Sequence, residues 1–168
     1  MRGKYWGEDM GCGKASKRRV VLATGTFDLL HYGHVYYLTE AKKAGGEDAK
    51  LVVVVARDKT VERLKGSRPI MPENQRRAVV EALKVVDEAL LGYEEMDMDK
   101  VVERVKPDVI AVGHDQKGIE DKLRRLIRDK NLNIKVVRIG RFSEENLNSS
   151  TKIKMKIVEQ YGRAERKR

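Results

Sequence analysis

Four apolar runs organise the chain: Val20 to Ala23, Leu51 to Ala56, Val109 to Val112 and Ile134 to Ile139. Apolar runs without polar alternation mark strands buried on both faces, the condition of a parallel sheet covered by helices above and below. Ala89-Leu90-Leu91 is a weaker fifth strand. The gaps read as helices over roughly 34–43, 73–85, 98–105, 119–130 and 150–161. In the second of these Ala78, Val79, Ala82, Leu83 and Val86 recur at three-to-four spacing, with Arg76, Arg77, Glu81 and Lys84 around them. In the last, Ile153, Ile157 and Val158 share a face, and Ser149 or Ser150 supplies the N-cap. Strand and helix alternate about five times with no internal repeat. That predicts a three-layer α/β/α domain around a five-stranded parallel sheet over residues 20–161, with right-handed crossovers.

A chain of 168 residues has room for one such domain. Its hydrophobic fraction of 40%, with only three Pro, excludes collagen-like, mucin-like and low-complexity classes. Charge changes the picture more. An excess of 36 Lys+Arg over 26 Asp+Glu gives +10 and a pI near 9.7, which at first suggests a nucleic-acid partner. Yet residues 1–19 carry six cations against two anions, and residues 162–168 four against one, so seven of the ten net units fall in two aperiodic ends. These ends are expected to be a disordered basic extension and a basic tail. With 5% aromatic residues the chain also lacks a base-stacking platform, so nucleic-acid binding is disfavoured as its function. No apolar stretch reaches the ~18 residues of a membrane span and the first 19 contain no hydrophobic leader core, so a cytoplasmic protein is expected. The single Cys12 precludes an internal disulfide and a Cys-rich zinc site.

In open parallel sheets ligands bind beyond the carboxyl ends of the strands, where the strand order reverses. The segments to inspect are therefore 25–34, 57–68, 113–116 and 141–151. The first, Gly25-Thr26-Phe27-Asp28-Leu29-Leu30-His31-Tyr32-Gly33-His34, leaves a strand and enters a helix. Gly25 allows a tight turn in which the amides of Thr26 and Phe27 face an anion. His31 and His34 share one face of the first helical turn, where free amides and the helix dipole already favour phosphate. Gly33 leaves space for a ligand across the turn. Two imidazoles so placed donate hydrogen bonds to a phosphoryl group and stabilise charge developing on it and on a departing pyrophosphate. A zinc site is the rival, because His31, His34 and His114 all fall at strand ends. Two other readings fail. The turn is not G-x-G-x-x-G, and Gly11-Cys12-Gly13-Lys14-Ala15 lacks the Ser/Thr, the first glycine and the preceding strand of a P-loop.

Residues 25–34 resemble the H-x-G-H signature of the nucleotidyltransferase superfamily, in the T-F-D-x-x-H-x-G-H form of its cytidylyltransferase-like branch; the similarity extends over most of residues 20–161. Within that branch Val55 to Val61, Lys65-Gly66, Pro69, Pro72 to Arg77, Ala82-Leu83-Lys84, Val86-Asp87 and Gly113-His114-Asp115-Gln116 resemble the archaeal FAD synthases. The resemblance implies a Rossmann-like nucleotidyltransferase fold. It implies that His31 and His34 bind the triphosphate and stabilise the transition state, joined by Lys65 from a mobile segment. Gly25, Thr26, Phe27, Asp28, Tyr32 and Gly33 would form the phosphate turn, Thr26 and Phe27 through their amides and Asp28 by ordering it. Arg76 would lie near the nucleotide, although a helix-surface arginine is an equally ordinary reading. Gly113, Asp115 and Gln116 would approach ribose or base. Ser149-Ser150-Thr151-Lys152-Ile153 resembles the tail of the R-T-x-G-I-S-[ST] motif, whose hydroxyls and amides hold triphosphate at a helix start. The arginine opening that motif is out of register: Glu144 stands in its place and Arg141 three residues earlier.

The activity so implied is transfer of AMP from ATP to FMN, forming FAD and pyrophosphate, with Mg2+ arriving on the triphosphate rather than in a protein cage. Asp28 and Asp115 are the obvious carboxylates near such an ion. The alternatives are glycerol-3-phosphate cytidylyltransferase or another CTP-dependent enzyme, and, more distantly, pantetheine-phosphate adenylyltransferase. Relatives with this fold are often homodimers, so a second copy is an expected partner.

Overall fold

A computed structural model describes residues 17–142 and 148–162. In chain order the elements are β1 (Val20–Gly25), α1 (Tyr32–Ala44), β2 (Lys50–Val55), α2 (Asp58–Lys65), α3 (Glu73–Glu81), β3 (Glu88–Leu91), α4 (Met98–Val105), β4 (Val109–Gly113), α5 (Lys117–Asp129), β5 (Lys135–Ile139) and α6 (Ser150–Tyr161). The five strands form one parallel sheet in the order β3-β2-β1-β4-β5. The fold is the expected Rossmann-like α/β architecture.

Alternation along β1 shows how the layers arise. Val21 and Ala23 pack with Leu38 and Ala41 of α1 and Val80 of α3. Leu22, between them, faces the other way, onto Val101 and Val102 of α4 and Leu123 of α5. Because both faces are covered, the buried centre of β1, Val21 to Ala23, is apolar at every position, which is why it reads as a continuous run. The order grows from β1 through β2 to β3, then returns to β4 on the other side of β1. The reversal point is the gap between β1 and β4, and their last residues, Gly25 and Gly113, open it. Tyr37 of α1 reaches into that gap and donates its hydroxyl to Ala111 O at 2.9 Å. Gln116 closes it from the far side: its Nε2 donates to Thr24 O (3.1 Å) and its Oε1 accepts from Gly113 N (2.8 Å).

Several boundaries and faces depart from the sequence expectation. Helix α2 was not expected; at eight residues, with Thr60 and Val61 its buried positions, it is too short to show a period. Helix α3 stops at Glu81, and Ala82 to Val86 continue as tight turns, with Val86 N donating to Leu83 O. Its buried residues are Arg76 and Val80, whereas Ala78, Val79 and Ala82 are exposed, so the apolar face read from the sequence is in the wrong register. Strand β5 lies at the sheet edge, which is why its Lys135 and Arg138 are exposed. Helices α1 and α5 start two residues before their expected positions. Helix α6 has the expected span and Ser149 as N-cap, but buries no residue fully: Ile157 and Val158 are exposed.

At the N-terminal side the ordered domain begins before residue 20. Arg18 pairs with Asp87 at 2.8 Å and donates to Asp48 O, so this part of the expected extension belongs to the fold. Residues 1–16 and 163–168 lie outside the described residues. Among the described residues no helix is long and apolar enough to cross a membrane.

Candidate active site

The turn from β1 to α1 is held in an unusual conformation. Phe27 and Leu29 both adopt positive φ, 53° and 46°, a region that non-glycine residues rarely occupy. Such a turn persists only where its surroundings over-determine it. Phe27 is buried beneath the turn, 2% exposed, and Asp28 between the two strained residues is 4% exposed. The Asp28 carboxylate accepts from Ile70 N (3.1 Å) and Met71 N (3.0 Å) and pairs with Lys154 Nζ at 2.8 Å. Its backbone carbonyl accepts from Ser150 Oγ at 2.5 Å. Burial pushes the Asp28 carboxyl up, but the Lys154 ammonium and the two amides outweigh it and hold the group below its ordinary value.

His31 is the N-cap of α1 and His34 its third residue. Their rings stack with centroids 3.8 Å apart. His34 Nδ1 accepts from His31 N at 3.4 Å, which places the proton of the neutral ring on Nε2. Burial, the stacked His31 ring and the Lys65 ammonium push His34 down to about pKa 3, against a weaker upward pull from Asp28. Burial lowers His31 as well. The pair is therefore neutral at ordinary pH. The Nδ1 of His31 is buried and has no hydrogen-bond partner among the described residues. Gly33 has a packing use of its own. A Cβ there would sit 3.0 Å from Asn148 O and from the His31 ring, so glycine lets the start of α1 lie directly against the approach to α6.

Two further elements converge on this turn. Lys65 ends α2, and its Nζ donates to Thr26 Oγ1 at 3.2 Å. Gly66 in the left-handed conformation, φ 75°, terminates the helix at that point. Arg76 of α3 is fully buried, so the helix-surface reading does not hold. Its guanidinium donates to Thr26 O, Ala56 O and Met71 O and pairs with Asp58 at 2.6 Å. One planar fork thus ties together the segments following β1 and β2 and the one preceding α3, a geometry lysine could not reproduce. Arg76 acts on the site by bracing it, with its bonds directed at the protein.

Of the remaining expected residues, Ser149 caps α6 by accepting from Lys152 N, and Ser150 is bound to the turn. Thr151 is exposed in the first turn of α6 and Arg141 is exposed after β5, while Glu144 falls outside the described residues. Gln116 spends both ends of its amide on the β1/β4 gap. Asp115, beside it, is exposed. Tyr32, 59% exposed, meets Phe142 edge-on with ring centroids 4.9 Å apart. Sequence reading missed Lys154, Tyr37 and Phe142. Lys154 alone left a signal: it lies four residues after Ser150, on the same face of α6.

The three histidines do not converge as a zinc site requires. Among the described residues no group of three or more His, Cys, Asp and Glu side chains is placed to hold a metal. Asp28 is bound by an ammonium and two amides, while Asp115, beside Gln116, is an exposed carboxylate at the mouth of the gap.

The reversal point of a parallel sheet, where this strained turn lies, is where open α/β folds bind their ligands, and comparison with known proteins gives the class of this one. Residues 22–156 match the Cytidylyltransferase-like family; the chain belongs to that family and is a nucleotidyltransferase. The FAD synthase of Methanothermobacter marburgensis is 51% identical over 144 residues, covering 86% of this chain and 88% of that protein. That of Archaeoglobus fulgidus is 50% identical over 141 residues, covering 84% and 98%. Among solved structures, a Thermoplasma volcanium chain described as a lipopolysaccharide core biosynthesis protein is 50% identical with a TM-score of 0.67, covering 74% of this chain and 98% of that one. Pantoate-beta-alanine ligase from Francisella tularensis, 16% identical with a TM-score of 0.57 over 84% of this chain and 69% of that one, shares the fold alone.

Proposed function

We propose that the protein transfers AMP from ATP to FMN, forming FAD and pyrophosphate. The observation that carries this reading is the stacked His31–His34 pair beneath the amide turn at the β1/β4 gap, in a chain about half identical to FAD synthases over most of its length. A phosphate oxygen of FMN attacks the α-phosphorus of ATP in line. The bond from α-phosphorus to the bridging oxygen breaks, and pyrophosphate leaves with the electron pair. The FMN phosphate is already ionised, so the protein needs no strong base and works by alignment and charge stabilisation.

In this mechanism the neutral His34 donates from Nε2 to a phosphoryl oxygen. His31 stands beside it with an uncommitted ring nitrogen. Lys65 leaves Thr26 Oγ1 for the triphosphate, adding a mobile positive charge as the leaving group forms. The Thr26 and Phe27 amides and the start of α6 at Ser149, Ser150 and Thr151 hold the non-reacting phosphates. Arg76 and Gln116 keep the turn and the gap in place. Magnesium carried by the triphosphate screens its charge when bound, and Asp115 is the residue that would hold it, through water.

The decisive assay offers ATP or CTP together with FMN, glycerol phosphate or phosphopantetheine and follows pyrophosphate release with chromatography of the product. FAD from ATP and FMN is the expected outcome. Turnover only with CTP and glycerol phosphate would assign the protein to the rival activity.

A further inference from the structure

Asp28 presents an electrostatic problem: a nearly buried carboxylate sits in the middle of the turn that must receive a polyanion. It is close enough to the chemistry to act on the proton affinity of His34. Its bracing role explains why it is there, since it accepts two amides from the segment before α3 and stands between the two residues with positive φ. Its charge still has to be cancelled. Lys154 is the residue positioned to do so, with Nζ 2.8 Å from Asp28 Oδ2. One helical turn earlier on α6, Ser150 Oγ bonds to the carbonyl of the same Asp28. Two side chains four residues apart thus grip a single residue of the phosphate turn, one at its backbone and one at its carboxylate.

We propose that Lys154 is a positioning residue of the nucleotide site, whose ammonium masks Asp28 so that a carboxylate can brace the phosphate turn without repelling the triphosphate. The proposal rests on the reading that this site takes ATP. Removing one partner of a sequestered ion pair leaves the other charge uncompensated, and here that charge would face the incoming phosphates. The masking also fixes α6, because the helix whose first turn offers amides to phosphate is the one that carries Lys154.

The test compares wild type with Lys154→Met, Lys154→Arg, Asp28→Asn/Lys154→Met and, as a control on the same helix, Lys156→Met, whose partner Glu159 lies 3.8 Å away. ATP binding is measured by calorimetry without FMN, FAD synthesis is measured at varied ATP, and circular dichroism checks folding. For Lys154→Met the expected result is a rise of about tenfold in Kd and KM for ATP, with kcat changed less than about threefold. Lys154→Arg recovers most of the affinity. Asp28→Asn/Lys154→Met binds ATP more tightly than Lys154→Met, because the charge needing a mask is gone. An unchanged affinity in Lys154→Met, an equal loss in Lys156→Met, or a double variant weaker than Lys154→Met overturns the proposal. Should Lys154→Met fail to fold, Lys154→Gln takes its place: an ATP affinity below wild type that Asp28→Asn/Lys154→Gln restores supports masking, and an affinity equal to wild type, or a double variant weaker than Lys154→Gln, overturns it. A wild-type protein that binds ATP but forms no FAD sinks the FMN reading and leaves Lys154 to the binding series.

Discussion

In the proposed mechanism His34 meets the triphosphate as a neutral donor, because burial, the stacked His31 and Lys65 all oppose a proton on its ring. This has a consequence for stability. With the folded value near 3 and the ordinary value at 6.5, the unfolded chain binds a proton in that interval that the folded chain refuses. Stability is therefore full above pH 6.5 and falls as the pH drops towards 3. Asp28 and Asp87, both held low, lose their contribution in the same direction only below their ordinary 3.8, so the upper part of the interval belongs to the histidines. Urea denaturation from pH 7 to roughly pH 4 should show wild type weakening on acidification and His34→Gln weakening less, by about one proton in the slope. Identical slopes would mean that His34 is not buried as a neutral ring. In catalysis, His31→Ala and His34→Ala should each slow FAD formation by about 10²-fold or more, as expected for lost transition-state donors. Near-wild-type rates of FAD and pyrophosphate formation would refute the mechanism.

Among the elements, the short helices α2 and α3 carry the site's cations, and each depends on one backbone or side-chain detail. Gly66 sits at φ 75° with open space where a Cβ would go, so Gly66→Ala adds backbone strain without a clash. It should cost about 1 kcal/mol in urea unfolding and raise KM for ATP by loosening the end of α2 that carries Lys65. Unchanged KM beside reduced stability would detach Lys65 from the phosphates. Arg76→Lys is the sharper case. It keeps the charge but cannot span Thr26 O, Ala56 O, Met71 O and Asp58 together, so buried carbonyls are left without donors. A loss of about 3 kcal/mol or more is expected, along with weaker ATP binding. A thermal midpoint unmoved by Arg76→Lys would show that the fork is not what holds the loops. These elements also mark where sequence reading reached its limit. Helix α2 has too few residues to reveal a period, and Arg76 looked like surface because a charged residue is rarely buried unless its donors are all used. The H-x-G-H turn was readable because its glycines and histidines are local in the chain. Lys154 left only its four-residue spacing from Ser150, since it meets Asp28 through the fold.

At the scale of the whole molecule, the parallel sheet was readable because the central residues of β1, β2 and β4 are buried on both faces and apolar, whereas β5 at the edge kept two charges that blurred its run. The same contrast between ends and middle governs charge. Seven units of the net +10 lie in residues 1–19 and 162–168, four of them in residues 1–16 and 163–168, while Arg18 is spent on Asp87 within the fold. Inside the domain many cations are paired with carboxylates or directed at carbonyls, whereas Lys65 is exposed and donates to the Thr26 hydroxyl at the turn. A chain lacking residues 1–16 and 163–168 should therefore elute earlier from a cation exchanger and lose any salt-sensitive retention on DNA or RNA. Because every residue assigned to the site lies between Gly25 and Lys154, its kcat and its KM for ATP should stay within about twofold of the full chain. A loss of turnover on truncation would instead place the basic ends in the active domain, and the pI would then have to be explained by the substrate's phosphates.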